Sequence, residues 1–305
     1  MEINSYIYKF IRTYVPEEDI LLNEPMHKHT TFRVGGEAMC FLRIGGAGQL
    51  KKLIPYFKKV EIPYFILGNG SNLLVGDKGY RGVVLQIGNK MGALRAEGER
   101  IRAGAGATLA AAAKYAWEKG LSGLEFASGI PGTIGGGVVM NAGAYGGEMK
   151  QVASLVTVMD GQGEILELDR ACMEFGYRTS VIKDRPFVVL EVALDLKPGE
   201  QEEIRGKMDE LAGKRREKQP LEFPSAGSTF KRPEGYFAGK LIMEAGMGGY
   251  RVGGAQVSEK HCGFVVNTGD ATAADIACVI KDVKERVKEK FKVTLETEVI
   301  FLGDF

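Results

Sequence analysis

The sequence predicts an α+β fold in which helices and strands do not follow a regular β-α-β order. Three strand-like segments, SLVTVMD, GEILELD and PFVVLEVALDL, follow one another between residues 154 and 196 without a helical pattern between them. A doubly wound parallel sheet would instead alternate strands with helices. Glycine is the second observation, because its 42 copies are about twice the usual share and occur in short clusters between apolar runs.

Length and charge narrow the classes of protein that the chain can represent. At 305 residues, the chain fits two or three domains better than a single core. Its 40 Lys and Arg residues balance 39 Asp and Glu residues, so no strong field attracts nucleic acid or an anionic membrane. No apolar run reaches the length of about 18 residues that a membrane span needs. We therefore expect no nucleic-acid partner and no membrane insertion.

The four cysteines and three histidines do not form a metal or disulfide pattern. The cysteines are widely spread and include no CxxC pair, which argues against a zinc cluster and against a disulfide framework. The histidines show no metal-ligand spacing, so no metal is predicted. This use of cysteine suits a reducing, cytoplasmic location.

Local patterns predict the elements of the first half of the chain. These elements are a helix over 3–15 that Pro16 ends, an extended stretch over 30–34, an amphipathic helix over 47–59, a strand, glycine turn and strand over 64–75, strands over 82–87 and 99–106, and an alanine-rich helix that Thr108 caps and that ends before Gly120.

The second half has a charged helix, a strongly periodic helix and a closing strand. Residues 199–219 form the charged helix, which Pro220 ends, and we place a domain boundary near residue 199. Apolar residues recur at helical spacing over 272–291, which predicts a helix there. The segment LETEVIFLG (295–303) is predicted to be the final strand.

The first glycine cluster, GNGSN at 68–72, lies between two predicted strands. Its backbone N–H groups could converge on an anion, with serine and asparagine side chains beside them. On this segment alone, an ordinary hairpin turn is the slightly favoured interpretation. The cluster is not the dinucleotide fingerprint GxGxxG, because Leu73 occupies the sixth position and a strand follows.

The second cluster, SGIPGTIGGG at 128–137, runs into NAGAYGG at 141–147. A structural loop seldom needs so many positions without a Cβ, whereas close approach of the backbone to a pyrophosphate and a flat ring does. Two such clusters without a Rossmann pattern indicate a flavin site of another type. The nearest approach to a phosphate-binding P-loop, GYFAGK at 235–240, is too short, which argues against nucleotide triphosphate chemistry.

Three polar side chains are candidates for chemistry, although each also has a plain structural explanation. Arg178 in GYRTS could be a solvated loop charge, and Ser228 in SAGSTFKRP could be an ordinary loop serine. Glu298 could face solvent on the closing strand. Taken singly, none of the three identifies a reaction.

Together these segments resemble the UDP-N-acetylenolpyruvoylglucosamine reductase family over nearly the whole chain. Eight motifs occur in the family's order: HTTFRVGG (29–36), GNGSNLL (68–74), SGIPGTIGGGVVMNAGAYGGE (128–148), GYRTS (176–180), AGSTFKRP (226–233), GKLIMEAG (239–246), GGAQV (253–257) and ETEVIFLG (296–303).

The resemblance implies a two-part FAD-binding domain of the vanillyl-alcohol-oxidase type over 1–198, split near residue 88, and an α+β substrate-binding domain over 199–305. It implies FAD held without a covalent bond, NADPH as reductant and a UDP-sugar as substrate. We also expect a monomer or weak oligomer in the cytoplasm. The residues that match its cofactor-binding segments are Gly68, Asn69, Gly70, Ser71, Asn72, Ser128, Gly129, Pro131, Gly132, Gly135, Gly136, Asn141, Gly143 and Ala144.

The same resemblance assigns catalytic roles to Arg178, Ser228 and Glu298. Arg178 would grip the substrate carboxylate, Glu298 would support the developing enol as a hydrogen-bond donor, and Ser228 would donate the proton. The residues implied to bind substrate are Tyr177, Lys218 and Arg232. A tyrosine-bearing loop that clamps the diphosphate in some relatives has no room between Arg178 and Ser228, so the chain resembles the family's shorter branch.

Two other functions remain compatible with parts of the pattern. A flavin-dependent alcohol or sugar oxidase would share the glycine clusters but would not need SAGSTFKRP or a C-terminal glutamate. A binding module for nucleotide sugars would lack the flavin altogether.

Overall fold

The computed structural model describes residues 3–305, which form two compact units. The first unit consists of the chain up to Leu22 together with Cys40–Asn69 and Gly82–Arg215. The second consists of Asn23–Met39, Gly70–Arg81 and Arg216–Phe305. Two early segments therefore belong to the same unit as the C-terminal part.

The structure has eight α-helices within the described residues, and the five longest agree closely with the predicted helical segments. They are α1 (Ser5–Tyr14), α2 (Ala47–Lys59), α3 (Leu109–Glu118), α4 (Ile134–Val139), α5 (Met149–Val152), α6 (Gln201–Lys218), α7 (Ala238–Glu244) and α8 (Ala273–Phe291). The predicted cap of α3 is confirmed, since the Thr108 side chain accepts a hydrogen bond from the N–H of Ala111. The three short helices α4, α5 and α7 were not predicted; α4 lies inside the second glycine cluster.

Within the described residues the first unit has thirteen strands, of which nine form two main sheets and four form two separate antiparallel pairs. They are β1 (Ile20–Pro25), β2 (Glu37–Arg43), β3 (Tyr64–Leu67), β5 (Tyr80–Gln86), β6 (Leu94–Glu97), β7 (Arg100–Gly104), β8 (Leu121–Ser122), β9 (Gly143–Ala144), β10 (Gly147–Glu148), β11 (Ala153–Met159), β12 (Ile165–Asp169), β13 (Val188–Asp195) and β14 (Lys197–Pro198), with β1, β2 and β5 continuing across the unit limits.

One of these sheets has the order β1-β2-β5-β3, and the other is antiparallel with the order β12-β11-β13-β7-β6. The three consecutive strands predicted between residues 154 and 196 are confirmed as β11, β12 and β13. The α+β fold class is thereby confirmed: β11 pairs antiparallel with both β12 and β13, and no α-helix lies between these three strands.

The second unit contains α7, α8 and five short strands. The strands are β4 (Leu73–Val75), β15 (Arg251–Val252), β16 (Ala255–Val257), β17 (Val265–Asn267) and β18 (Ile300–Leu302). They form a three-stranded sheet, β15-β16-β17, and a parallel pair of β4 with β18. The apolar face of α8 is buried in this unit's core together with Phe32, Val34 and Leu74 from the two early segments.

Three predictions about extended segments are wrong. The two strands that flank GNGSN are not a hairpin, because β3 pairs with β5 and β4 pairs with β18. Residues 30–34 form no strand. The closing strand is shorter than predicted, because β4 offers it only three partners; Thr297 makes an isolated bridge with Phe230 instead.

The predicted domain limits near residues 88 and 199 stay a prediction. The two compact units divide after Arg215, inside α6, and the second unit also includes Asn23–Met39 and Gly70–Arg81. Domain limits placed along the sequence assign each segment to the same domain as its neighbours in the chain. They therefore miss 23–39 and 70–81, which belong to the second unit although segments of the first unit flank them.

Asp77 joins the early segment of the second unit to the start of α8. Its two carboxylate oxygens accept hydrogen bonds from the N–H groups of Ala273 and Ala274, each at 2.8 Å. The first N–H groups of a helix have no partner within the helix, and the helix dipole favours a negative charge there. A carboxylate from a distant segment therefore completes the cap that Thr272 begins.

We predict that Asp77→Ala lowers the free energy of unfolding by about 1 to 2 kcal/mol, the cost of losing a helix cap. Urea denaturation followed by circular dichroism measures the change. Asp270→Ala is the control, because Asp270 is exposed and makes no side-chain hydrogen bond within the described residues. Equal stability of the two variants would contradict the role of Asp77.

Candidate active site

The GNGSN turn connects β3 to β4 and packs on the HTTFRVGG segment. Gly70 is buried with a φ of +60°, and a Cβ there would overlap the carbonyl oxygen of His29. The N–H of Thr31 donates to the carbonyl of Gly70 at 3.2 Å. The close packing of these two segments explains why both motifs occur together in the sequence.

The N–H groups of this turn are available to a ligand. Those of Asn69, Gly70, Ser71 and Asn72 donate to no protein acceptor within residues 3–305. Main-chain donors in a protected position normally find a partner. A cluster of such donors fits an anionic group, such as the pyrophosphate of FAD.

The two glycine clusters adjoin where Gly68 meets Thr133. A Cβ on Gly68 would lie 2.5 Å from the Thr133 hydroxyl oxygen, which in turn accepts a hydrogen bond from the N–H of Gly136 at 3.2 Å. Both residues belong to the first unit. Gly68 and the Thr133–Gly136 segment, more than sixty positions apart in the sequence, thus lie next to each other in the first unit.

Protein packing explains some glycines of α4 but not all of them. Cβ atoms on Gly135 and Gly137 would press on Ala105 and Leu109, at 3.1 Å and 3.2 Å. Gly136 is exposed, and a Cβ there would approach nothing closer than the Thr133 hydroxyl at 3.5 Å. The open side of Gly136 fits close approach of a flat ring or a phosphate to the backbone.

The loop before α4 is partly open as well. Gly129 and Pro131 are exposed, whereas the Gly132 carbonyl accepts a hydrogen bond from the N–H of Leu109 at 2.9 Å. The Ser128 hydroxyl donates to the Glu125 carbonyl at 2.8 Å. The residues present therefore fit FAD mainly through backbone groups.

Asn141 holds the second cluster against the GYRTS segment. It is 1% exposed, and its amide nitrogen donates to the Glu148 carboxylate at 2.7 Å and to the Gly176 carbonyl at 3.0 Å. Its amide oxygen accepts from the N–H of Lys150 at 2.9 Å. Its proposed cofactor contact stays a prediction, since the side chain is engaged in fixing two loops.

Arg178 has an unusual backbone conformation in this fixed loop. Its φ is +56°, in the left-handed region that costs a non-glycine residue free energy and that concentrates at functional sites. Its guanidinium lies 3.4 Å from the carbonyl oxygen of Gly143, on the β9–β10 hairpin with Ala144, and 5.5 Å from the centre of the Tyr177 ring. Tyr177 itself is largely exposed. The loop thus presents a cation and an aromatic ring side by side.

Ser228 and Glu298 lie close together in the second unit. Thr229 is fully buried, and its carbonyl accepts a hydrogen bond from the N–H of Glu298 at 2.8 Å. The Thr229 hydroxyl accepts from the N–H of Val265 at 3.0 Å, which fixes the residue next to Ser228. The structure therefore brings these two predicted catalytic residues into adjacent backbone segments.

Asn72 positions Glu298 from the other side. Its side-chain amide donates to the Glu298 carbonyl at 3.0 Å, across a separation of 226 residues. The sequence suggested only a cofactor role for Asn72, because no local pattern signals a partner at that distance. The end of the glycine turn thus fixes the backbone of the candidate acid.

The two basic residues predicted to bind substrate have different surroundings. Arg232 lies with its guanidinium 3.9 Å from the centre of the Phe237 ring, a cation–π contact. Lys218 is the exposed last residue of α6. Arg215, three positions earlier in the same helix, is partly buried and was not among the predicted residues.

The described residues contain no group of three or more His, Cys, Asp or Glu side chains that could hold a metal ion. No helix in residues 3–305 is long and apolar enough to cross a membrane.

Two family models match the chain. The model described as FAD binding domain matches residues 39–169, and the model described as UDP-N-acetylenolpyruvoylglucosamine reductase, C-terminal domain, matches residues 219–302. Together they include both glycine clusters, Ser228 and Glu298. Arg178 and Arg215 lie in the stretch between them.

Curated relatives are similar over nearly the whole chain. The UDP-N-acetylenolpyruvoylglucosamine reductase of Agathobacter rectalis is 51% identical over 315 residues, covering 99% of this chain and 100% of the relative. The enzyme of the same name from Clostridioides difficile is 50% identical, covering 99% of each chain.

Solved structures agree on the fold. The UDP-N-acetylenolpyruvylglucosamine reductase of Thermus caldophilus has a TM-score of 0.80 and 36% identity, covering 93% of this chain and 98% of that one. A grass-pollen glucose dehydrogenase, Phl p 4.0202, has a TM-score of 0.50 and 12% identity over 64% of this chain and 44% of its own, a likeness of fold alone. The two glycine clusters and the adjacent Ser228 and Glu298 segments agree with these full-length similarities, and the chain belongs to the UDP-N-acetylenolpyruvoylglucosamine reductase family.

Proposed function

We propose that the protein reduces the enolpyruvyl group of UDP-N-acetylglucosamine enolpyruvate to a lactyl ether, giving UDP-N-acetylmuramate for peptidoglycan synthesis. NADPH is the proposed reductant. The observation that carries this proposal is the fixed pair of Ser228 and Glu298, because an oxidase with the same cofactor fold does not need a proton donor of this kind. Family membership supports the same substrate.

FAD supplies a hydride acceptor and donor when it is bound. The residues proposed to hold it are the free main-chain donors of the GNGSN turn and the open face at Gly136. The turn contains neither His nor Cys, which supports a cofactor held without a covalent bond.

Arg178 is proposed to bind the substrate carboxylate. A guanidinium can donate two parallel hydrogen bonds to a carboxylate and stays protonated at all working pH values. The Asn141 and Gly143 contacts hold the Arg178 loop before substrate arrives. A cation fixed in advance stabilises negative charge that develops beside the carboxylate without reorganising during the reaction.

Glu298 and Ser228 are proposed to handle the proton. Glu298 in its protonated form can donate a hydrogen bond to the enol oxygen, and the Ser228 hydroxyl can protonate the neighbouring carbon. A serine hydroxyl is a weak acid, so only a strongly basic carbanionic substrate can take its proton. Gly227, with φ of +74°, and buried Thr229 flank Ser228 and restrict its position.

We propose that the protein acts in the cytoplasm and recognises the UDP-sugar as its ligand. We also propose that it is a monomer or a weak oligomer. Light scattering after size-exclusion chromatography measures the oligomeric state.

A two-step assay tests the function. The purified protein, loaded with FAD, is reduced by NADPH without oxygen and followed at the flavin absorbance near 450 nm. Reoxidation by the enolpyruvyl UDP-sugar, faster than by oxygen, is the expected result. Fast reoxidation by oxygen alone would favour an oxidase, and absence of a flavin spectrum after incubation with FAD would favour a binding module.

We predict that Ser228→Ala leaves flavin reduction by NADPH unchanged and slows reoxidation by substrate about a hundredfold, the cost of losing one proton donor. Rapid-mixing absorbance measures both half-reactions. Ser225→Ala, in the same loop, should change neither. Equal slowing of both half-reactions by Ser228→Ala would refute the proposed role.

We also predict that Glu298→Ala, which removes the hydrogen-bond donor, slows the second half-reaction about a hundredfold and spares the first. Glu296→Ala is a matched control two residues away, because Glu296 is exposed and pairs with Lys231 at 2.9 Å. That ion pair lowers the pKa of Glu296, so it is a surface carboxylate at neutral pH. Similar behaviour of the two variants would show that Glu298 has no special role.

A further inference from the structure

Arg215 is a partly buried cation without an acidic partner. Within the described part of the chain, its side chain makes no hydrogen bond and no ion pair. Burial lowers the pKa of its guanidinium, and the nearby Tyr145 acts weakly in the opposite direction. An arginine nevertheless stays protonated in proteins, so the charge persists. A partly desolvated charge without a counter-ion is costly, and an anionic ligand would remove that cost.

The guanidinium lies against the loop that opens the second glycine cluster. A Cβ on Gly129 would lie 3.1 Å from Nη1 and 3.2 Å from Cδ of Arg215. The N–H of Gly129 donates to no acceptor in residues 3–305. A charged donor and a free main-chain donor therefore lie next to each other in the first unit.

The position of Arg215 in α6 does not account for this arrangement. A cation in the last turn of a helix interacts favourably with the helix dipole, but that interaction requires no burial. The two neighbouring basic residues behave as ordinary surface charges: Lys214 is exposed and pairs with Glu210, and Arg216 is exposed. Arg215, by contrast, lies against Gly129 of the loop that opens the second glycine cluster.

We propose that Arg215 and the N–H of Gly129 together bind a diphosphate group. A guanidinium presents two parallel donors that match phosphate oxygens, and a glycine N–H adds a third donor that no side chain obstructs. Arg215 lies outside both matched family segments, 39–169 and 219–302. The inference rests on the proposed function only for the source of the diphosphate, which is either FAD or the UDP-sugar.

The test compares Arg215→Gln with Arg216→Gln, a control one position along the same helix. Quenching of flavin fluorescence measures the affinity of the apoprotein for FAD, and calorimetry measures the affinity of the FAD-loaded protein for UDP. Inorganic pyrophosphate serves as competitor in both experiments. We expect Arg215→Gln to weaken one of these affinities about tenfold to a hundredfold, as loss of a charge-assisted hydrogen bond does, and Arg216→Gln to change neither.

Gly129→Ala is a second variant that keeps the charge. Its Cβ would meet only the flexible end of Arg215, so the fold can accommodate it while the guanidinium is displaced. We expect it to weaken the same affinity as Arg215→Gln. It therefore carries the test if Arg215→Gln does not fold, which circular dichroism reveals.

The outcomes distinguish FAD from the UDP-sugar as the source of the diphosphate, and they test the inference about Arg215 separately from the proposed function. Weaker FAD binding assigns Arg215 to the cofactor diphosphate, and weaker UDP binding with unchanged FAD affinity assigns it to the substrate. Affinities no different from those of Arg216→Gln would overturn the inference. Failure of the unmodified protein to reduce the enolpyruvyl UDP-sugar would refute the proposed function alone, since the affinity measurements do not depend on turnover.

Discussion

The parallel pairing of β4 with β18 determines where the candidate acid and proton donor lie. Its register places Leu73 opposite Ile300, so Asn72, just before β4, and Glu298, two positions before β18, come together. Asn72 then binds the Glu298 carbonyl, and Thr229 accepts from the Glu298 N–H. The short β4–β18 pairing, three residues long, thus brings together the end of the GNGSN turn, Glu298 and the loop that carries Ser228.

Main-chain groups form most of these contacts, which gives the site its precision. A backbone hydrogen bond between buried segments has little freedom to shift, because an unpaired buried donor or acceptor costs free energy. Thr229 illustrates the point, since its N–H, carbonyl and hydroxyl all have partners. The side chains that would touch substrate are thereby mounted on segments that are held independently of any ligand.

The first unit uses a buried amide for the same purpose. Asn141 satisfies three polar groups at once and fixes the loop in which Arg178 adopts its left-handed conformation. Arg215 differs, because its surroundings leave its charge uncompensated by protein groups within the described residues. Full pairing at Asn141 indicates a structural role, and incomplete pairing at Arg215 indicates a ligand.

The sequence by itself determined the five longest helices, the run of three strands and the glycine clusters. The periodicity of α2 and α8, the Thr108 cap and the density of glycine are local properties, readable within about fifteen residues. Resemblance of ordered motifs added the family and the identities of Arg178, Ser228 and Glu298. The tertiary structure alone decided the partner of β4, the long-range role of Asn72 and the burial of Arg215. Each of these features depends on contacts between segments far apart in the chain. Secondary-structure propensity and hydrophobic periodicity are local properties, so they do not show which distant segment makes such a contact.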